Sequence, residues 1–231
     1  MLPVADGSDM MGSLRNPAAF NNVIGFRPST NVMSGGSADQ RGLSTSGPMG
    51  RNTEDTIQFL RTIAVKDFGT DFSPLDISST KIGWLGSLND YFALEPGILD
   101  LCQNGLKKIS QEGATVEELL PSFNPNDLWF SWTTLRHLGR ASMKRFFDDP
   151  VLREKLKPDL VWEIEESQRL TEGDRATANA IRGEWYRELD RLFEKYDFLA
   201  IPSAQVFPSV SYTHLRAHET VLDLVCRLLL E

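Results

Sequence analysis

The chain has 231 residues, 41% of them hydrophobic and 24% charged, with a formal net charge of −8. That length suits a domain with a sizeable core, and the acidic balance excludes nucleic-acid binding driven by electrostatics. No run of 18 apolar residues marks a membrane span, and two cysteines, Cys102 and Cys226, exclude a disulfide framework.

The first informative element is residues 3–28. Asp9-Met10-Met11-Gly12-Ser13-Leu14-Arg15 places Ser13 in a tight, glycine-containing turn just after an acidic loop. Residues 6–13 by themselves would pass for an ordinary surface loop, since Asp, Gly and Ser are turn residues. The pattern runs further, through Pro17, Ala18, Ala19, Gly25, Arg27 and Pro28. The whole stretch resembles the nucleophile segment of the amidase signature family, Gly-x-Asp-x-Gly-Gly-Ser-[Ile/Leu]-Arg-x-Pro-Ala.

The resemblance implies hydrolysis of carboxylic amides through an acyl-serine intermediate, with no metal or organic cofactor. Ser13 takes the place of the nucleophile. The backbone N–H groups of Met10, Met11 and Gly12 take that of the oxyanion hole, where losing one donor costs roughly 10²–10³ in rate. Asp9 and Arg15 match positions that shape the loop. A serine hydroxyl needs a base. In the family that base is a neutral lysine, relayed by a second serine preceded by a cis peptide bond. Both lie upstream of the nucleophile. Here twelve residues precede Ser13 and none is Lys. The expectation is an inactive piece of an amidase truncated at both ends. Met11 stands where the family has its first glycine; it keeps its N–H, and its bulk would narrow the pocket or change the acyl group accepted.

A Gly/Ser-rich loop is expected over residues 29–50, flexible in isolation. Gly47-Pro48-Met49-Gly50-Arg51-Asn52-Thr53-Glu54-Asp55 resembles the family's Gly-Pro-Met-[Ala/Gly]-Arg-[Ser/Asn]-x-x-Asp. It also reads as a helix start, with Asn52 as cap and Glu54 and Asp55 in the first turn. Ile57, Leu60, Ile63 and Ala64 continue it at helical spacing.

Lys81–Gly86 reads as a short apolar strand. Residues 95–112 read as an amphipathic helix carrying Ile98, Leu99, Leu101, Cys102, Leu106 and Ile109. Gly113-Ala114-Thr115-Val116 opens the next strand. Strand, helix, strand predicts parallel pairing and a layered α/β architecture. The family implies the same class, a mixed β-sheet core flanked by helices, incomplete in this chain.

Residues 125–197 read as mainly helical. Over 173–197, Ala178, Ile181, Trp185, Leu189, Leu192 and Phe193 share one face, and the charges around it read as solvated. Trp129, Phe130, Trp132 and Leu135 either line an acyl pocket or pack the core. His137 has no partner marking it as catalytic. Tyr196–Ser203 resembles the family's Tyr-Asp-x-Leu-x-x-Pro-[Ser/Thr] strand and closes a partial amidase domain over 1–209.

Residues 210–231 resemble a translated sequencing adapter and are expected to be a non-native tail that takes no part in the fold. Without them the net charge is −7. His214, His218 and Cys226 make only a weak zinc pattern and are set aside.

Two other readings stay open. One is the amidase subunit of a tRNA-dependent amidotransferase; the other is a non-catalytic amidase-like binding protein. The expected partner is a small-molecule amide, with neither nucleic acid nor membrane, and a homo-oligomer is open for the full-length parent. The default location is the cytoplasm, although a truncated start would hide a signal peptide. Sheet edges cut at both ends are expected to make the isolated chain aggregate.

Overall fold

The computed structural model describes residues 2–29, 32–33, 43–67 and 74–208. The proposed tail and its His214, His218 and Cys226 lie outside the described residues. The chain divides into two compact units, Met1–Leu120 with Tyr196–Glu231, and Pro121–Lys195.

The first unit holds two three-stranded sheets. Strand β1 (Val4–Asp9) leads into helix α1 (Arg15–Asn21) and the two-residue β2 (Ile24–Gly25). Strand β3 (Thr45–Gly50) lies between β1 and β2, antiparallel to both. Two expectations are thereby corrected. The acidic loop before Ser13 is a strand to Asp9, and the last six residues of the expected 29–50 loop are the central strand of a sheet. Pro48 is compatible with that position because its carbonyl is what the sheet uses, accepting from Phe26 N at 2.9 Å. Gly47 shows why glycine sits beside it. A Cβ there would fall 2.2 Å from the Phe26 carbonyl oxygen.

Helix α2 (Thr53–Ile63) starts as the sequence predicts. Asn52 caps it by accepting from Asp55 N at 2.7 Å, satisfying one of the N-terminal donors. Within the same supposedly flexible stretch, Val32 and Met33 are buried against Leu60, Ile63 and Ala64.

The second sheet is parallel. Strand β4 (Lys81–Trp84) is central, followed by α3 (Ile98–Gln111) and β5 (Thr115–Glu118) on one side. Strand β6 (Phe198–Ala200) pairs on the other side after the chain returns from the second unit. Asp197 secures that return, its carboxylate accepting from Lys81 N at 2.8 Å. The strand–helix–strand expectation is met, and the predicted Tyr196–Ser203 strand becomes β6. On α3, Leu101 is 63% exposed and stands off the apolar face assigned to it.

The second unit is helical. It comprises α4 (Pro125–Arg140), α5 (Lys144–Asp148), α6 (Pro150–Arg153), α7 (Pro158–Ser167) and α8 (Glu172–Phe193). Thr171 and Asp174 form a reciprocal capping box at the start of α8. Leu128, Trp132, Ile164, Ala178, Trp185, Leu189 and Leu192 are buried. Phe193, expected on the α8 apolar face, is 52% exposed. Conversely Glu188, expected on the solvated face, is buried. Its carboxylate accepts from Ser122 N at 2.9 Å and from Arg191. A carboxylate can be buried when donors meet it.

Candidate active site

Strand β1 ends at Asp9, which has no solvent exposure. Its carboxylate gathers the next turn. Gly12 N donates to Oδ1 at 2.5 Å and Leu14 N to Oδ2 at 3.3 Å. Arg15 grips both oxygens, Nε on Oδ2 and Nη2 on Oδ1, each at 2.9 Å. This is the two-pronged geometry that makes arginine–carboxylate pairs specific. Arg27 Nη1 donates to the Asp9 carbonyl and lies 3.4 Å from Oδ1, while its Nη2 reaches the Leu43 carbonyl at 3.2 Å. Burial raises the Asp9 carboxyl, but the Arg15 hydrogen bond and charge, the Gly12 N–H and the Arg27 charge outweigh it and hold the group at about 2.

The turn between β1 and α1 therefore has a defined shape. Gly12 is buried with φ of +94°, a conformation that favours glycine. Met11 is not among the described positive-φ residues, so this backbone does not require a glycine there. Leu14 is fully buried beneath the turn and Ser13 is exposed at its outer side, one residue before the cap of α1. Among the described residues the Ser13 hydroxyl has no hydrogen-bond partner. Of the three N–H groups assigned to an oxyanion hole, that of Gly12 is engaged by Asp9.

A family model described as Amidase matches residues 1–226. The chain belongs to the amidase family. An acylamidase of Rhodococcus erythropolis is 26% identical over 216 residues, covering 87% of this chain and 45% of that protein. A glutamyl-tRNA(Gln) amidotransferase subunit of Pseudomonas fluorescens (strain Pf0-1) is 34% identical over 133 residues, covering 52% of this chain and 27% of that protein. The chain thus spans less than half the length of these two curated relatives. Among solved structures, one titled an amidase superposes with a TM-score of 0.77 at 22% identity, covering 98% of this chain and 53% of that one. A bacterial aryl acylamidase gives 0.74 at 21% identity, covering 90% and 47%. The α/β fold is that of amidase signature enzymes.

The other residues considered in this amidase chain fall mainly into packing. Trp132 is buried and stacks on half-buried Trp129 at 5.7 Å. Phe130 is 37% exposed. His137 is buried with its ring edge-to-face on Trp162 at 5.0 Å, and burial lowers its pKa. Arg27 was legible as part of the motif, but its contact with Asp9 was not. Two buried carboxylates had no sequence signal beyond charge on a helix: Glu188, and Glu163 of α7, which accepts from Arg136 Nε and Arg140 Nε of α4, each at 2.7 Å. Among the described residues no group of three or more His, Cys, Asp or Glu could hold a metal ion. No helix among them is long and apolar enough to cross a membrane.

Proposed function

We propose that this chain carries the nucleophile of an amide hydrolase, with Ser13 attacking the amide carbonyl to give an acyl-serine and release ammonia or an amine. The observation that carries the reading is an exposed serine presented on a turn whose shape is held by the buried Asp9–Arg15–Arg27 cluster. A nucleophile gains from such pre-positioning because alignment is obtained before reaction. Asp9 and Arg15 position the turn and take no proton in the chemistry. The backbone N–H groups of Met10, Met11 and Gly12 are the proposed oxyanion donors, that of Gly12 also donating to Asp9.

A serine needs a neighbouring base. The family resemblance assigns that role to a lysine upstream of the nucleophile, and no Lys precedes Ser13 here. The 231-residue chain alone is therefore proposed to be inactive, with hydrolysis a property of the whole enzyme. The substrate class follows the acylamidase relative: a small carboxylic amide, cleaved without a cofactor, in the cytoplasm.

A fluorophosphonate probe tests this. Ser13 should label in the whole enzyme and in no Ser13→Ala variant, while the 231-residue chain labels slowly or not at all. Labelling of the whole enzyme at another serine would refute the assignment. The 34% identity to an amidotransferase component favours a second reading, in which the same serine releases ammonia for a partner protein. Glutamine-dependent turnover only with a copurifying second protein would select it. Labelling of no serine in either form would select the non-catalytic reading.

A further inference from the structure

The parallel sheet ends in a cavity that the hydrolase reading leaves unused. It is lined by Trp84, Ser87 and Asn89 at and beyond the carboxyl end of β4, by Leu99 and Gln103 of α3, and by Glu118 at the end of β5, among others. No residue of the turn around Ser13 takes part. Its volume is about 370 Å³, within the range of small-molecule sites. Open parallel sheets take ligands at this place, outside the carboxyl ends of their strands.

Trp84 and Glu118 are register partners across β4 and β5, so their side chains leave the sheet on the same face. Trp84 is 6% exposed and supplies an aromatic wall. The Glu118 carboxylate has no hydrogen-bond or ion-pair partner among the described residues, and neither have the side-chain amides of Asn89 and Gln103. No Lys, Arg or His lines the cavity. Its chemistry is one unpaired negative charge, two amide groups and an apolar wall.

The rim adds an independent observation. Leu88, Asn89 and Asp90 have φ of +52°, +55° and +60°, three successive non-glycine residues in the left-handed region that L-residues avoid. Leu88 and Phe92 are buried and anchor the turn. Ser87 Oγ accepts from Asp90 N at 2.9 Å and donates to Asp90 Oδ1 at 3.0 Å. Such backbone persists only where its surroundings over-determine it, and it clusters at ligand sites. Here it holds Asn89 at the cavity wall.

We propose that this cavity binds a small primary ammonium ion with an apolar body, such as an arylalkylamine. Glu118 pairs with the charge, and the amide oxygens of Asn89 and Gln103 accept the remaining ammonium protons, three donors in all. Trp84 and Leu99 receive the apolar part, with attraction between the cation and the indole ring contributing. The site stands on these residues alone and does not depend on the role of Ser13.

Isothermal titration of the whole enzyme with 2-phenylethylammonium tests the proposal, with 2-phenylethanol and 3-phenylpropionate as neutral and anionic comparisons. The ammonium ion should bind saturably, the alcohol more weakly and the carboxylate not at all. Glu118→Gln should weaken ammonium binding about fivefold, as for an exposed ion pair, and remove the preference over the alcohol. Asn89→Gly suits the left-handed backbone, so it should keep the fold and weaken binding about threefold. Absence of saturable binding, equal affinity for ammonium and alcohol, or unchanged binding in Glu118→Gln would each overturn it.

Discussion

Asp9 in the first unit and Glu163 in the second are both buried between two arginines, yet they hold different things together. Asp9 accepts from backbone as well as side chains, the N–H groups of Gly12 and Leu14 beside Arg15. Glu163 accepts from Arg136 and Arg140 of α4 and ties one helix to another. The first carboxylate defines a local conformation that would not otherwise exist. The second joins elements that periodicity and caps already define. Their surroundings differ too. The Arg15 and Arg27 side chains are each 10% exposed; Arg136 beside Glu163 is 12% exposed, but Arg140 is 30% exposed and can turn toward water.

The largest expected effect follows from that difference. Asp9→Ala should cost about 3–5 kcal/mol, because it strands two buried guanidinium groups and frees the turn. Glu163→Ala should cost less, about 1–3 kcal/mol, since Arg140, one of its two partners, can be partly rehydrated. Urea unfolding of both variants measures this, and equal losses would break the comparison.

Acid sharpens it next. Asp9 is lowered from 3.8 to about 2 in the folded chain, so its carboxylate form stabilises the fold. That contribution is complete above about pH 4 and disappears as pH falls through about 2, an amount of about 2 kcal/mol. Unfolding curves between pH 5 and pH 2 should show the loss in the native chain, and Asp9→Asn should flatten it.

Asn52 isolates the backbone-directed part without burial, since it caps α2 from an exposed position. Asn52→Ala should cost about 1 kcal/mol in thermal unfolding. A loss as large as that of Asp9→Ala would mean that burial adds nothing. The smallest effect is set by Phe193, which is 52% exposed. Phe193→Ser should stay within about 0.5 kcal/mol in the same measurement, whereas membership of the apolar face would make it far costlier.

Much of the fold was legible because its signals are local. Asn52 with Glu54 and Asp55 marks a helix start within four residues, and Ile98, Leu99, Cys102, Leu106 and Ile109 mark the covered face of α3. Strand β3 was not legible. Thr-Ser-Gly-Pro-Met-Gly has little strand propensity, and its proline argues against a central position. It is a strand because its partner β1 lies some forty residues earlier. The exposure of Leu101 and Phe193 was hidden for a related reason, since each lies at the margin of an apolar stripe and only packing decides which margin is covered.

At the candidate site, the motif by itself pointed to the family and singled out Ser13 with the acidic and basic residues around it. These follow from the order of side chains along one short segment. Only the tertiary structure decided that Asp9 is wholly buried, that Arg27 joins Arg15 on it, and that the Gly12 N–H is directed to that carboxylate. Burial and ion pairing depend on which distant segments exclude water from a charge, and no local pattern of residues encodes that.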